Sequence, residues 1–103
     1  MDAVRAAPAS HRVLVDNDRV RVLEVVIAPG NHEPEHTHRS ASVMIVDESA
    51  RIRYYVGDEL RYESPERPEP AVRVEWMEPE GPHSVENIDE RRFHAIRVEL
   101  KSS

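Results

Sequence analysis

Apolar residues recur at every second position along most of this chain, and turn-forming residues break the pattern at short intervals. A period of two sends alternate side chains to opposite faces of an extended strand, so the pattern specifies β-structure. Arg51 to Val56 shows it plainly, with Ile52, Tyr54 and Val56 alternating against Arg51, Arg53 and Tyr55. β-Branched residues are abundant and helix signals nearly absent, which predicts an all-β sandwich or barrel. A chain of 103 residues suits one compact domain, and at that size a homodimer contact is an expected source of extra stability.

Strands are predicted at Arg12–Val15, Arg19–Ala28, His36–Val46, Arg51–Val56, Glu59–Glu63 and Ala71–Met77, then from near His83, and last at Arg92–Lys101. Asp16, Asn17 and Asp18 suit a tight turn, Pro29 and Gly30 stop the second strand, and Gly57 with Asp58 closes a hairpin. Ser64 to Pro70 carries Pro65, Pro68 and Pro70 and reads as an exposed loop. Residues 1–11 read as a flexible N-terminal tail, and 12–103 as the folded domain. Parity on the last strand assigns His94, Ile96, Val98 and Leu100 to the interior and Phe93, Arg97, Glu99 and Lys101 to the other face. Trp76, alternating with valines, reads as a packing anchor, and Arg53, Arg73 and Arg97 as solvated or interface positions.

Composition excludes several classes of function. The net charge is -6, with 14 basic residues scattered among 20 acidic ones, so nucleic acid is not an expected partner. No stretch approaches the roughly eighteen apolar residues of a membrane span, and a soluble, cytoplasmic protein is expected. The chain has no cysteine, which rules out disulfides, thiolate metal sites and a cysteine nucleophile. Any metal ligand must be His, Asp, Glu or a neutral oxygen.

His36 and His38 are one residue apart in a predicted strand, so both leave the same face and lie close enough to share an ion. His83, at the start of a later strand, has the context to bring a third imidazole from a neighbouring strand. His32 reads as a solvated loop residue. Tyr54 alternates with Ile52 and Val56 and is the tyrosine expected to face inward.

These residues resemble the two motifs of the cupin superfamily. The first motif has a glycine, a five-residue gap and His-x-His, matched here by Gly30, Asn31 to Glu35, then His36, Thr37 and His38. The second is similar to Pro79, Glu80, Gly81, Pro82, His83, Ser84, Val85, Glu86 and Asn87, with one residue fewer between Gly81 and His83. The likeness runs from about Val13 to Lys101. It implies an antiparallel β-barrel of the double-stranded β-helix or jelly-roll type, with His36, His38 and His83 projecting into its mouth and Gly30 and Gly81 relieving the backbone at turns.

The glutamate that cupins usually carry four or five positions after the second histidine is absent, since Ser42 and Val43 stand there. Some cupins with histidine ligands alone are dioxygenases, so the resemblance still implies a metal-dependent enzyme, dioxygenase-like or isomerase-like. Three neutral imidazoles would leave the charge of a divalent ion (iron, zinc, nickel, manganese or copper) uncompensated, favouring a small chelating or anionic organic substrate. In this reading Ser42 donates a hydrogen bond in the vacant carboxylate space, Tyr54 lines the cavity, and His94 acts as acid/base or fourth ligand. The alternative is a cupin that binds or senses a small ligand without metal or catalysis.

Overall fold

The computed structural model describes residues 1–66 and 72–101. A short helix, α1 (Ala3–Ala6), precedes β1 (His11–Asp16), β2 (Val20–Ile27), β3 (His36–His38), β4 (Ser42–Glu48), β5 (Ile52–Val56), β6 (Glu59–Glu63), β7 (Arg73–Met77), β8 (Glu80–Asn87) and β9 (Phe93–Leu100). The strands form two antiparallel sheets, ordered β1-β2-β9-β4-β7 and β3-β8-β5-β6. Between them lies an apolar cluster of Val25, Ile27, Val46, Ala50, Phe93 and Ala95, with Met44, Ile52 and Val85 packed against it. Residues 67–71, most of the proline-rich loop and the start of the expected strand at Ala71, fall outside the described residues. Among the described residues no helix is long and apolar enough to cross a membrane.

The stretch expected as one strand from His36 to Val46 is two strands in different sheets. β3 pairs with β8, whereas β4 pairs with β7 and β9, so the chain crosses between sheets at residues 39–41. Gly30, in the turn just after β2, has φ +76°, a conformation that favours glycine. Gly81 has no positive φ, and a Cβ there would meet nothing within 4 Å, so the second motif glycine is not demanded by the backbone. Asn87 is fully buried; its amide donates to the carbonyls of Ile27 (2.9 Å) and Arg91 (2.8 Å), and its Oδ1 accepts from the Asp89 amide.

The parity assigned to the last strand is reversed. β9 lies between β2 and β4, and its register sets Phe93 opposite Ile27, Ala95 opposite Val25 and Val46, and Glu99 opposite Arg21 and Ser42. Phe93, Ala95, Arg97 and Glu99 therefore face the interior, and His94, Ile96 and Val98 the outside. Apolarity could not decide the matter, because both faces of this central strand carry apolar side chains. The inward charges are tolerated because each has a partner.

The N-terminal segment is not a free tail. Asp2 caps α1 by accepting from the Val4 amide and takes two hydrogen bonds from Arg21, at 3.0 and 2.7 Å. The Thr37 amide donates to the Met1 carbonyl at 2.7 Å, and Ala3 and Ala7 are completely buried. Alanines that read as linker composition serve here as small side chains that let the segment pack closely.

Candidate metal centre

His36 and His83 are direct cross-strand partners on β3 and β8, and Glu80 lies opposite His38. The imidazoles of His36 and His83 have ring centres 4.4 Å apart, and His38 lies 5.2 Å from the first and 5.6 Å from the second. The rings of the three histidines singled out in the sequence lie near one another between the sheets, but their possible ligand atoms do not form a single group within 4.8 Å. A fourth joins them: His11, at the start of β1, has ring centres 4.8 Å from His36 and 5.4 Å from His38. Possible ligand atoms fall into two overlapping groups, His11 with His36 and His38, and His38 with Glu80 and His83, each within 4.8 Å.

The wiring of the rings is uniform. Nδ1 of His36 donates to the Pro34 carbonyl and that of His83 to the Gly81 carbonyl, both at 2.8 Å. Nδ1 of His11 lies 3.1 Å from the Ala7 carbonyl, and Nδ1 of His38 lies 3.0 Å from Glu99 Oε2. A proton held on Nδ1 leaves the Nε2 lone pair as the free donor, which is how outer partners orient metal-binding imidazoles. Burial lowers the pKa of His11 to about 4 and of His36 to about 3, and also pushes His38 down. All three are neutral near pH 7, the form a metal requires. The donor set and its orientation therefore fit a divalent ion.

Three carboxylates surround the rings. Glu80 accepts from Arg97 Nη2 (2.7 Å) and from the Tyr54 hydroxyl (2.8 Å), and lies 3.5 Å from His83 Nε2. Burial raises its pKa, but Arg97, His83 and Tyr54 outweigh that and keep it ionised. Glu99 is held likewise: burial raises it, and hydrogen bonds from His38 and Arg21 pull it lower. Glu33 accepts from the Ser10 hydroxyl at 2.8 Å and sits 3.5 Å from His36 Nε2; burial raises its pKa to about 7. Glu80 joins a possible ligand group, so an ion held there would have a carboxylate beside it that three imidazoles alone do not supply.

A cavity of about 590 Å³ opens over this cluster. Its apolar wall includes Val25, Ile27, Met44, Ile52, Val85 and Phe93, and its polar end holds the four imidazoles, Glu33, Glu80 and Arg97. Tyr54 lines it as expected, stacked on His83 with ring centres 5.1 Å apart and planes at 10°. Burial pushes its phenol up, so at neutral pH the hydroxyl keeps its proton.

Ser42 faces inward but is completely buried and does not line the cavity, and its hydroxyl has no partner among the described residues. His94 is on the far side of the five-stranded sheet, bonded to Asp47 and Glu24. Although His94, Asp47 and Glu48 lie close enough to share a cation, both nitrogens of His94 are committed to carboxylates and Arg92 takes Glu48. His32 is exposed, stacks on Tyr55 and bonds Ser84 at 2.8 Å, in keeping with a surface role. Arg97, expected on a solvated face, is buried and lines the cavity.

Sequence reasoning missed His11, Glu33, Glu80, Arg97 and Glu99 as parts of the site. His11 had a signal, since a histidine opening a strand faces inward if its partner does, and it pairs with Val25. The remainder required the strand register.

No family model matches this sequence, and no curated protein matches it. Solved structures do. A cupin domain from Bordetella pertussis Tohama I superposes with a TM-score of 0.68 at 22% identity, covering 89% of this chain and 92% of that one. An RmlC-like cupin family protein from Methanocaldococcus jannaschii gives 0.64 at 16% identity, over 87% and 77%. The polyketide cyclase RemF from Streptomyces resistomycificus gives 0.62 at 19% identity, over 96% and 71%. With its paired antiparallel sheets and histidines between them, this chain has the fold of the cupin superfamily, the double-stranded β-helix.

Proposed function

We propose that this protein is a metal-dependent enzyme, dioxygenase-like or isomerase-like, acting on a small anionic or chelating organic molecule with an apolar body. The observation that carries the reading is the common wiring of His11, His36, His38 and His83, each tied at Nδ1 so that Nε2 is the nitrogen open to an ion, with those of His36 and His83 facing Glu33 and Glu80 at 3.5 Å. Glu80, reaching in from β8, supplies the carboxylate that the first motif lacks. An ion of iron, zinc, nickel, manganese or copper held there would polarise a coordinated oxygen as a Lewis acid.

The protein's own groups do the rest. The apolar wall excludes water from the body of the substrate. Arg97 Nε is buried without a partner among the described residues, on a side chain that lines the cavity, and so favours an anionic oxygen nearby. Tyr54 presents a neutral hydroxyl at the cavity and anchors Glu80. The polyketide cyclase among the neighbours supports an enzymatic use of such a pocket.

The test uses protein purified without an affinity tag, loaded separately with each of these metals and desalted. Near one ion per chain is expected for at least one metal; less than about a tenth for all of them contradicts the reading. The mostly apolar cavity favours a second reading, a metal-independent binder. Thermal shifts by small apolar carboxylates that are unchanged by a chelator would select it.

A further inference from the structure

Residues 1–10 have little apolar substance with which to hold themselves to the domain. α1 is four residues long, far too short to stand as a helix alone, and the side chains the segment buries, Ala3, Ala7 and Ser10, are small. What holds the segment is a set of polar ties, and most of them end on the metal centre. The Ala7 carbonyl accepts from His11 Nδ1, and the Ser10 hydroxyl donates to Glu33 at 2.8 Å. Asp2 lies along the open edge of β3, bridged to Thr37, and the Met1 carbonyl takes the amide of that residue, between His36 and His38. Asp2 also accepts from both terminal nitrogens of Arg21, Arg21 Nε donates to Glu99 Oε1, and Glu99 Oε2 receives His38 Nδ1.

We propose that Asp2, Arg21 and the Ala7 carbonyl are positioning groups of the metal centre, so that ion binding and docking of residues 1–10 are one linked equilibrium. The inference rests on the metal reading above and adds to it the segment that closes behind the rings. An imidazole holds Nε2 toward an ion while an acceptor keeps the proton on its Nδ1. His11 has the Ala7 carbonyl for that purpose, and His38 has Glu99. Glu99 is buried, and its other oxygen is held by Arg21, whose planar fork is fixed from the far side by Asp2. Lifting the segment therefore slackens two rings at once, one directly and one through a chain of three charged side chains. Linkage makes the effect reciprocal: an ion that binds the docked form better draws the segment down by the same factor.

Zinc is the probe, because imidazole suits it and it is diamagnetic, so hydrogen exchange of the full chain can be followed by NMR with and without it. The amides of Arg5, Ala6 and Ala7 bond to the carbonyls of Asp2 and Ala3, and that of Thr37 to Met1. With saturating zinc these amides should exchange at least about 10-fold more slowly, since each outer partner of a ligand is worth about 10- to 100-fold in metal affinity. Amides of β6, which bears none of the rings, should slow far less. Asp2→Asn, further removed from the ring than Glu99, should weaken zinc about 3- to 10-fold by isothermal titration.

Zinc bound with unchanged exchange at Arg5, Ala6, Ala7 and Thr37 would overturn the inference and leave the metal reading standing. Failure of zinc and of the other metals to bind would overturn both. Uniform slowing that includes β6, or an Asp2→Asn protein with a lower metal-free Tm and unaltered zinc affinity, would reduce the segment to structural packing and overturn the inference as well. Should Asp2→Asn fail to fold, the exchange rates of the unaltered chain decide.

Discussion

The buried histidines between the sheets and His94 on the outer face are the same residue type wired in opposite ways. His94 gives Nδ1 to Asp47 and Nε2 to Glu24, so both nitrogens carry protons and the ring acts as a cation. Its pKa is raised, first of all by the hydrogen bond it donates to Asp47. His11, His36 and His38 give Nδ1 only, and burial lowers their pKa values. The lesson is that a histidine's partners, more than its burial, separate a ring able to serve as a ligand from one held in a structural ion pair. His94 is itself buried, yet it offers no lone pair.

Metal affinity is the property on which the two groups should differ most. His36→Ala removes a donor and is expected to weaken binding more than 100-fold by isothermal titration. Glu99→Gln leaves the donors in place but loosens the orientation of His38, and a loss of about 10- to 100-fold is expected. His94→Ala should change affinity by less than about 2-fold. If His94→Ala matched His36→Ala, the distinction would fail.

Acid should separate them by sign. His11 and His36 stay neutral in the folded protein down to about 4 and about 3, whereas an unfolded histidine takes up its proton near 6.5. With His38 shifted the same way, the metal-free protein loses stability as pH falls below about 6.5. Glu33 opposes this, since a carboxyl raised to about 7 contributes stability as pH falls toward 4.5, but it is one group against three. A drop in Tm on the order of 10 °C is expected between pH 6.5 and 5. His94 has the reverse sign, its contribution being full below pH 6.5 and lost as pH rises through its folded value. His94→Gln should therefore lower Tm by a few degrees at pH 6 and by less at pH 9, the smallest of these effects.

The legible parts of the molecule were those encoded locally. Alternation along Ile52, Tyr54 and Val56 placed Tyr54 in the cavity, and the spacing of His36 and His38 put both on one face. His83 followed from its motif. What escaped was set by register: Glu80 enters the site only because β8 lies against β3 with Glu80 opposite His38. On β9, alternating apolar residues on both faces removed the signal that fixes parity, and the strand came out inverted, hiding Arg97 and Glu99. The N-terminal segment was misread because alanine and proline look alike in a linker and in a tightly packed plug. Trp76 was misassigned for a related reason: it does alternate with valines, but on the face turned away from the core.

The central claim is that imidazoles from β1, β3 and β8 share one divalent ion. A crystal of the metal-loaded protein, with anomalous data at the metal edge, tests it most directly. One peak is predicted, about 2.0–2.2 Å from Nε2 of at least three among His11, His36, His38 and His83. A map with no peak among those four rings, or with its ion bound at His94 instead, would contradict the account.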